Sequence, residues 1–219
     1  MTTDTASHSL SADTRERLLA AAGQIFAEKG FKDATVREIC ARAGVNLAAV
    51  NYHFGDKEHL YAELVKAAHR LRVERAPLPG WDESKPPEQK LREFVRTLLV
   101  RLLDDPAPPW HVQLMLREMA QPTGACAALV RDYIEPDFKL LLRIIDALVP
   151  ADLPIARRRL IAFSVVGQCL HYRVAQPVIA LLVPPEECRN LTSDQLADHI
   201  SRFTLAALAQ LSGEDRGAA

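Results

Sequence analysis

The chain is poor in the features that mark several functional classes. It has only four cysteines among 219 residues, and none forms a CxxC pair, so we expect buried free thiols rather than disulfides or a zinc site. No run of about 18 apolar residues occurs, and no basic segment followed by an apolar stretch opens the chain. We therefore expect a cytoplasmic protein that needs neither a metal nor another cofactor.

The charge balance is nearly neutral, with a net charge of −1. Proteins that bind nucleic acid often carry an excess of basic residues, so any evidence for DNA binding must come from the local pattern. Glycine-rich phosphate loops and HExxH motifs are missing. Cys169 and His171 are two residues apart and would lie on different faces of a helix. The sequence therefore predicts that the chain is not an enzyme.

Helical periodicity runs through almost the whole chain, and no segment alternates with period two. This pattern predicts an all-α protein with an N-terminal helix-turn-helix domain and a C-terminal helical domain. The predicted division is a disordered arm over 1–12, a DNA-binding domain over 13–56, a connecting helix over 57–76, a ligand-binding and dimerisation domain over 77–213, and a tail over 214–219.

Start and stop signals divide the first part into four helices. Asp13 with Glu16, and Thr35 with Glu38, have the spacing of capping boxes, while Asn46 and Asp56 are good N-caps. Gly30 and Gly44 suit the left-handed conformation that ends helices. Two short helices joined by a glycine-containing turn form the helix-turn-helix arrangement.

The second helix of that pair normally enters the major groove. Its exposed side chains would be Leu47, Ala48, Asn51 and Tyr52. Such residues suit base contacts, because asparagine can pair with adenine and apolar groups can meet thymine methyls. The small Ala49 would let the helix lie deep against the bases. Arg37, His53 and Lys57 flank this helix and suit phosphate contacts. The spacing alone leaves open an ordinary small helical bundle that does not bind DNA.

Three segments resemble the TetR family of transcriptional regulators: Thr14-Arg15, Ala22 and Ile25–Phe31 in the first, the run from Ala34 to Asn46, and the run from Tyr52 to Tyr61. The resemblance implies a dimer on a partly palindromic operator, usually a repressor released by a ligand. It implies that Thr35 and Arg37 lie near the DNA backbone and that His53 and Lys57 contact phosphates. It also implies recognition-helix contacts by Leu47, Ala48, Ala49, Asn51 and Tyr52. Asn51 departs from the Tyr or Leu that is common at its position.

The remaining chain predicts amphipathic helices over residues 87–103, 110–121, 125–149, 154–182 and 192–211. The apolar stripe of the last helix must be covered, either by the core of the same chain or by a symmetry mate. The interface residues predicted for the symmetric dimer are Ile161, Val165, Gln168, Leu196, Ile200, Phe203, Ala207 and Leu211.

Polar and bulky side chains on these apolar helices predict a small-molecule pocket. The predicted ligand-binding residues are Trp110, His111, Met115, Met119, Arg143, Gln168, His171 and Tyr172. Arg117, Glu118 and Arg173 are predicted instead to form a structural ion-pair network. We expect Pro136 to bend its helix, because it leaves the carbonyl of Asp132 without a donor.

Three motifs of this domain are similar to the CecR-like subgroup: Leu116–Met119 with Pro122-Thr123, Ile134–Pro136, and Val166–Arg173. That resemblance implies control of efflux or transport genes. The predicted partners are therefore double-stranded operator DNA, a second copy of the chain and an unidentified small molecule, with no membrane. The alternative that remains is an architectural DNA-binding protein that responds to no ligand.

Overall fold

The computed structural model describes residues 3–104 and 110–214. Every regular element in those residues is helical, as the sequence predicts. The α-helices, in chain order, are α1 Thr3–Asp33, α2 Val36–Ala43, α3 Leu47–Phe54, α4 Lys57–Arg75, α5 Pro87–Leu103, α6 Trp110–Ala120, α7 Gly124–Leu129, α8 Glu135–Asp146, α9 Ile155–Val174, α10 Gln176–Leu182, α11 Pro185–Asn190 and α12 Ser193–Glu214. A single π-helical turn, Val130–Ile134, joins α7 to α8.

These helices form two compact units. The first unit contains residues 3–71 and 110–133, and the second contains residues 72–104 and 134–214. The predicted division after residue 76 differs from these units, because α6 packs on α1, and α7, which contacts α6, belongs to the first unit with it. Of the predicted tail, only Glu214 lies within the described residues.

The first helix buries its predicted apolar stripe, since Leu18, Ala22, Ile25 and Phe26 are all at most 2% exposed. The helix begins at Thr3 and so includes residues 3–12 of the segment predicted from the sequence to be an arm. No proline or glycine interrupts residues 3–12, and a helix can therefore extend past Asp13. At its other end the regular helix breaks at Gly30, whose φ of 81° is open to glycine.

Helix α6 packs along α1 through one close approach. A Cβ atom added to Gly23 would lie 2.5 Å from atoms of the Trp110 ring, so the glycine is what allows the indole to lie on α1. Further along, the Arg117 guanidinium donates to the carbonyls of Ala27 at 2.8 Å and Glu28 at 2.9 Å. The packing of α6 on α1 therefore depends on the absence of a side chain at Gly23 and on backbone carbonyls of α1.

The second unit is built around one apolar core shared by α5, α8, α9 and α12, which includes Leu99, Ile145 and Cys169. Arg101 is buried near this core with 6% exposure. Its guanidinium pairs with the Asp137 carboxylate at 2.6 Å and donates to the Ala76 carbonyl at 2.8 Å. The buried charge is therefore both paired and hydrogen-bonded, as a charge in such a position must be.

Two long helices expected from the sequence are interrupted. The predicted helix over 125–149 is divided by the π-helical turn at Val130–Ile134, directly before Pro136. Since Pro136 cannot donate to the Asp132 carbonyl, the change in helix type occurs where a bend is expected. The predicted helix over 154–182 stops at Val174, and Pro177 opens the short α10.

Part of the predicted dimer interface is wrong. Val165, Leu196 and Ile200 are at most 3% exposed and belong to the core of their own chain, so they cannot contact a second copy. The reason is that this edge of the α12 stripe and the side of α9 that carries Val165 belong to the core shared with α5. Phe203 and Ala207 are exposed. The half-buried members of the predicted set are Ile161, Gln168 and Leu211.

Candidate nucleic-acid interface

The turn between α2 and α3 is fixed by three local capping motifs. Thr35 and Glu38 form the reciprocal capping box that the sequence predicts at the start of α2. Gly44 has φ 66° and ψ 38°, its N–H donates to the Ala41 carbonyl, and the next N–H donates to the Cys40 carbonyl at 3.0 Å. Those two bonds define a Schellman motif. The Asn46 side chain then accepts from the Ala49 N–H at 3.0 Å.

Arg17 of α1 completes this turn, and sequence reasoning missed it. Its guanidinium donates to the carbonyls of Ala43 at 2.5 Å and Gly44 at 3.1 Å, which lie where α2 ends. A cation suits this position because carbonyl oxygens concentrate negative partial charge at a helix C-terminus. Arg17 lies 26 residues from Ala43 in sequence, so no local pattern could have revealed the contact.

Helix α3 has one buried and one exposed face. Val50 and Phe54 are at most 8% exposed and hold the helix against the rest of the first unit. The exposed face carries Leu47 and Tyr52, which are 52% and 80% exposed, together with Ala48 and Asn51. The four residues predicted to reach base edges therefore share the solvent face, and Ala49 is half-buried beside them.

The predicted phosphate-binding groups flank this exposed face. Thr35 and Arg37 are exposed at the start of α2, and Arg37 makes no ion pair with any residue that the structure describes. His53 is half-buried and stacks edge-on with Tyr52, with ring centroids 4.9 Å apart. The ammonium of Lys57 lies 4.6 Å from the Phe31 ring centroid and donates to the Lys32 carbonyl at 3.3 Å.

Helix α4 is joined to α1 by an aromatic cluster. The Tyr61 ring lies 4.9 Å from that of Phe26 and 5.0 Å from that of Phe31, centroid to centroid. Asp56 caps α4 as predicted, since its carboxylate accepts from the His59 N–H at 2.7 Å. That bond stabilises the ionised carboxylate and lowers the pKa of Asp56. Helix α4, which follows α3 in the chain, therefore begins at a capped residue and is held against α1.

A buried carboxylate connects α4 to α6 and α7. Glu118 is fully buried and accepts from the Tyr61 hydroxyl at 2.8 Å. It also accepts from the N–H and the hydroxyl of Thr123, at 2.8 Å and 2.9 Å. Burial, and the hydrogen bond to Glu118, raise the pKa of Tyr61 far above its ordinary value. The hydroxyl is therefore a permanent donor at neutral pH.

This arrangement corrects the predicted ion-pair network. Arg117 contacts backbone carbonyls of α1, Glu118 accepts neutral donors, and Arg173 donates to the Gln176 side chain at 3.1 Å. Within the described residues the three side chains form no ion pair with one another. Arg117 and Glu118 lie in the first unit, whereas Arg173 lies in the second. The prediction relied on residue types, which do not reveal backbone acceptors.

The predicted ligand-binding residues are divided between the two units. Trp110, His111, Met115 and Met119 lie on α6, where His111 and Met115 are at most 5% exposed and Met119 is 50% exposed. The other four lie in the second unit: Arg143 and His171 are exposed, and Gln168 and Tyr172 are half-buried. Neither of two cavities found among the described residues is lined by any of the eight. Their role stays a prediction.

The pair of residues considered for catalysis lacks the required chemistry. Cys169 is fully buried, and burial raises the pKa of its thiol to about 12, so it holds no thiolate near neutral pH. His171 is exposed. Among the described residues we find no cluster of three potential metal ligands. No helix in that part of the chain is both long and apolar enough to cross a membrane.

A helix-turn-helix with an exposed second helix, held by capped neighbours, defines a DNA-binding transcriptional regulator. Residues 18–64 match the family described as bacterial regulatory proteins, tetR family. Residues 87–208 match the C-terminal domain of the HTH-type transcriptional dual regulator CecR. The chain therefore belongs to the TetR family and has a C-terminal domain of the CecR type. This confirms the predicted family and fold class, and the prediction that the chain is not an enzyme.

Individual relatives agree with this assignment. The chain is 29% identical over 212 residues to the dual regulator CecR of Shigella flexneri, covering 90% of this chain and 94% of that one. It is 40% identical over 57 residues to the transcriptional repressor BepR of Brucella suis, covering 26% of this chain and 27% of that one. A TetR-like regulator from Rhodococcus has the same fold, with a TM-score of 0.64, 20% identity, and coverage of 90% and 96%.

Proposed function

We propose that this protein is a homodimeric, cytoplasmic one-component repressor that binds a palindromic operator and leaves it when a small molecule binds. The observation that carries the proposal is the solvent-facing set on α3, in which Tyr52 is 80% exposed beside Asn51. Leu47, 52% exposed on the same helix, extends this set with an apolar side chain, and exposed apolar and amide groups side by side suit contact with base edges. By resemblance to the CecR-like subgroup, the proposed targets are efflux or transport genes.

The proposed dimer uses the outer faces of α9 and α12. Leu160 and Phe163 of α9 are 60% and 58% exposed, and Phe203 of α12 is 62% exposed. A groove along α12 contains Phe203, His199 and Arg202. An apolar face of this kind on two neighbouring helices fits a four-helix contact with a second copy. A two-fold dimer would present two recognition helices to successive major grooves, about 34–36 Å apart.

The proposed ligand response acts through α6. Helix α6 contacts α1 through Arg117 and α4 through Glu118, so a displacement of α6 would strain both helices that flank the DNA-binding turn. A ligand with higher affinity for the displaced state would lower operator affinity by linkage, typically by about 1–3 kcal/mol. The predicted pocket residues on α6, notably Met115 and Met119, are the groups that such a ligand would touch.

DNA recognition is tested with operator fragments selected in vitro from genomic DNA by the purified protein. We expect Asn51→Ala to change the base preference at one position of each half-site while leaving the salt dependence unchanged. Arg37→Ala and Lys57→Ala should each weaken binding to all sequences and reduce the salt slope by about 0.9 for each phosphate that the variant no longer neutralises. Wild-type binding without sequence preference would contradict the proposal and favour the architectural alternative.

The ligand response is tested by a thermal-shift screen of metabolites and antibiotics. We expect at least one compound that raises the unfolding temperature and also releases the protein from the selected operator. By reciprocity, the operator should weaken binding of that compound by the same factor in calorimetric titration. A compound that binds equally well with and without operator would contradict induction, although DNA binding would stand.

A further inference from the structure

Helix α10 is a short apolar segment that its own chain leaves uncovered. Leu181 and Leu182 are 88% and 74% exposed, Val178 is 54% exposed, and neither α10 nor α11 contains a buried residue. A helix of 7 residues is too short to be stable in water by itself, because nucleation is costly and few hydrogen bonds follow. Large apolar side chains at such exposure indicate a contact surface rather than solvent.

This surface continues a stripe on α9. The exposed residues Leu160, Phe163, Gly167 and Val174 recur at steps of three, four and seven, which places them on one side of that helix. No described atom lies within 4 Å of a Cβ built on Gly167, so the middle of the stripe is open to close approach by another helix. The stripe leads at its C-terminal end into α10.

A two-fold axis at Gly167 would match the two ends of this surface. At 1.5 Å per residue, Arg157 lies about 15 Å before Gly167, and α10 begins about 13 Å after it. Two antiparallel copies of α9 that cross at Gly167 therefore bring the first turns of one α9 beside α10 and α11 of the partner subunit. Ile155 and Leu160, which are 51% and 60% exposed, would then lie within reach of the partner's Leu181 and Leu182.

The charges at these two ends are complementary. Arg157 and Arg159 are exposed at the start of α9, and Glu186 and Glu187 are exposed on α11. The structure shows no ion pair for any of these four side chains within the part of the chain that it describes. The neighbouring Arg158, in contrast, is engaged with the Asp146 carboxylate of its own chain at 2.9 Å. Two acidic and two basic groups are thus available to a partner.

We propose that α10 and α11 form an arm that clasps the N-terminal end of α9 in a second copy of this chain. Leu181 and Leu182 supply the apolar contact, and Glu186 and Glu187 face Arg157 and Arg159 of the partner subunit. This inference rests on the homodimer proposed above and adds the element that covers the α9 end. Each subunit contributes one arm and one N-terminal end of α9, so two equivalent contacts form and satisfy the two-fold symmetry.

The apolar part is tested by sedimentation equilibrium of the full chain. Leu181→Ser combined with Leu182→Ser should raise the dimer dissociation constant at least tenfold, and far-UV circular dichroism should be unchanged because both side chains are exposed. Val130→Ser, which changes an exposed apolar residue outside this surface, is the matched control and should leave dimerisation unchanged. A monomeric wild type would overturn the homodimer itself. A dimer that is indifferent to the double substitution would overturn only the arm.

The charged part is tested by mixing two variants of different mass. Arg157→Glu with Arg159→Glu places acid against acid in its homodimer, and Glu186→Arg with Glu187→Arg places base against base. Each variant alone should dissociate at least tenfold more readily than wild type, whereas the mixture should form heterodimers of near wild-type affinity by native mass spectrometry. If the four groups instead interact within one chain, mixing restores nothing, and that result refutes the arm.

Discussion

Substitution of Gly23 tests the packing of α6 on α1, because two physical effects of opposite sign act at this position. Gly→Ala in a helix interior normally stabilises by about 1 kcal/mol. Here the new Cβ would lie 2.5 Å from Cη2 and Cζ3 of Trp110, whereas carbon atoms pack at about 3.5–4.0 Å. Overpacking of this kind costs about 1–3 kcal/mol. The clash should therefore win, and we expect Gly23→Ala to destabilise the protein by up to about 2 kcal/mol.

A double-mutant cycle separates the two effects. In a Trp110→Leu background the ring is gone, so Gly23→Ala should now stabilise by about 1 kcal/mol. The coupling energy is the difference between the effects of Gly23→Ala in the two backgrounds. It should equal the cost of overpacking, about 1–3 kcal/mol. Urea unfolding followed by far-UV circular dichroism is the appropriate assay, since it does not depend on tryptophan fluorescence. Additivity of the two substitutions within about 0.5 kcal/mol would refute the proposed contact.

Three further predictions concern buried and capping groups. Glu118→Gln should cost about 1.5–3 kcal/mol in urea unfolding, because charge-assisted bonds to its buried donors are removed, whereas Glu135→Gln, at a half-exposed i,i+4 pair, should cost at most about 0.5 kcal/mol. The Lys29 ammonium lowers the pKa of Glu38 below its ordinary 4.5. The stability that the ionised Glu38 carboxylate contributes is therefore present above that value and is lost as pH falls. Glu38→Gln should lose less thermal stability than wild type from about pH 6 to about pH 3. Cys169, with a pKa raised to about 12, should react with a thiol reagent only after unfolding, and Cys169→Ala should leave the number of thiols that react in the native state unchanged.

Each of these predictions has a contradicting result. Equal costs for the two glutamine substitutions would mean that the charge-assisted hydrogen bonds to Glu118 add nothing to the free energy of unfolding. An acid sensitivity that Glu38→Gln leaves unaltered would place the responsible group elsewhere. Rapid modification of Cys169 in the folded protein would mean that the core around it opens readily.

Local signals predict the DNA-binding half well. The capping box at Thr35, the left-handed Gly44 and the cap at Asn46 are short-range interactions, so the residue types that make them are adjacent in sequence and can be read there. For the same reason the exposed face of α3 can be assigned from its spacing. Contacts between distant residues, such as Arg17 with the end of α2, leave no such signal.

The C-terminal part is harder to predict for two different reasons. Pro136 and Pro177 are both visible in the sequence, yet the bend is predicted only at Pro136, and the break before Pro177 is missed although a proline interrupts the helix ladder in the same way. The dimer stripe fails for another reason. Periodicity shows that a face is apolar, but it does not tell whether the same chain or a second one covers it, and α5 covers Val165, Leu196 and Ile200.

The hydrogen bonds from Arg117 to the backbone of α1 have a consequence for how this protein can evolve. Its guanidinium binds main-chain oxygens of Ala27 and Glu28, and every amino acid supplies such an oxygen. The side chain at position 28 can therefore drift among lineages without loosening the attachment, while position 117 cannot. A saturation library scored for operator occupancy should accordingly show broad tolerance at Glu28 and an almost invariant arginine at 117.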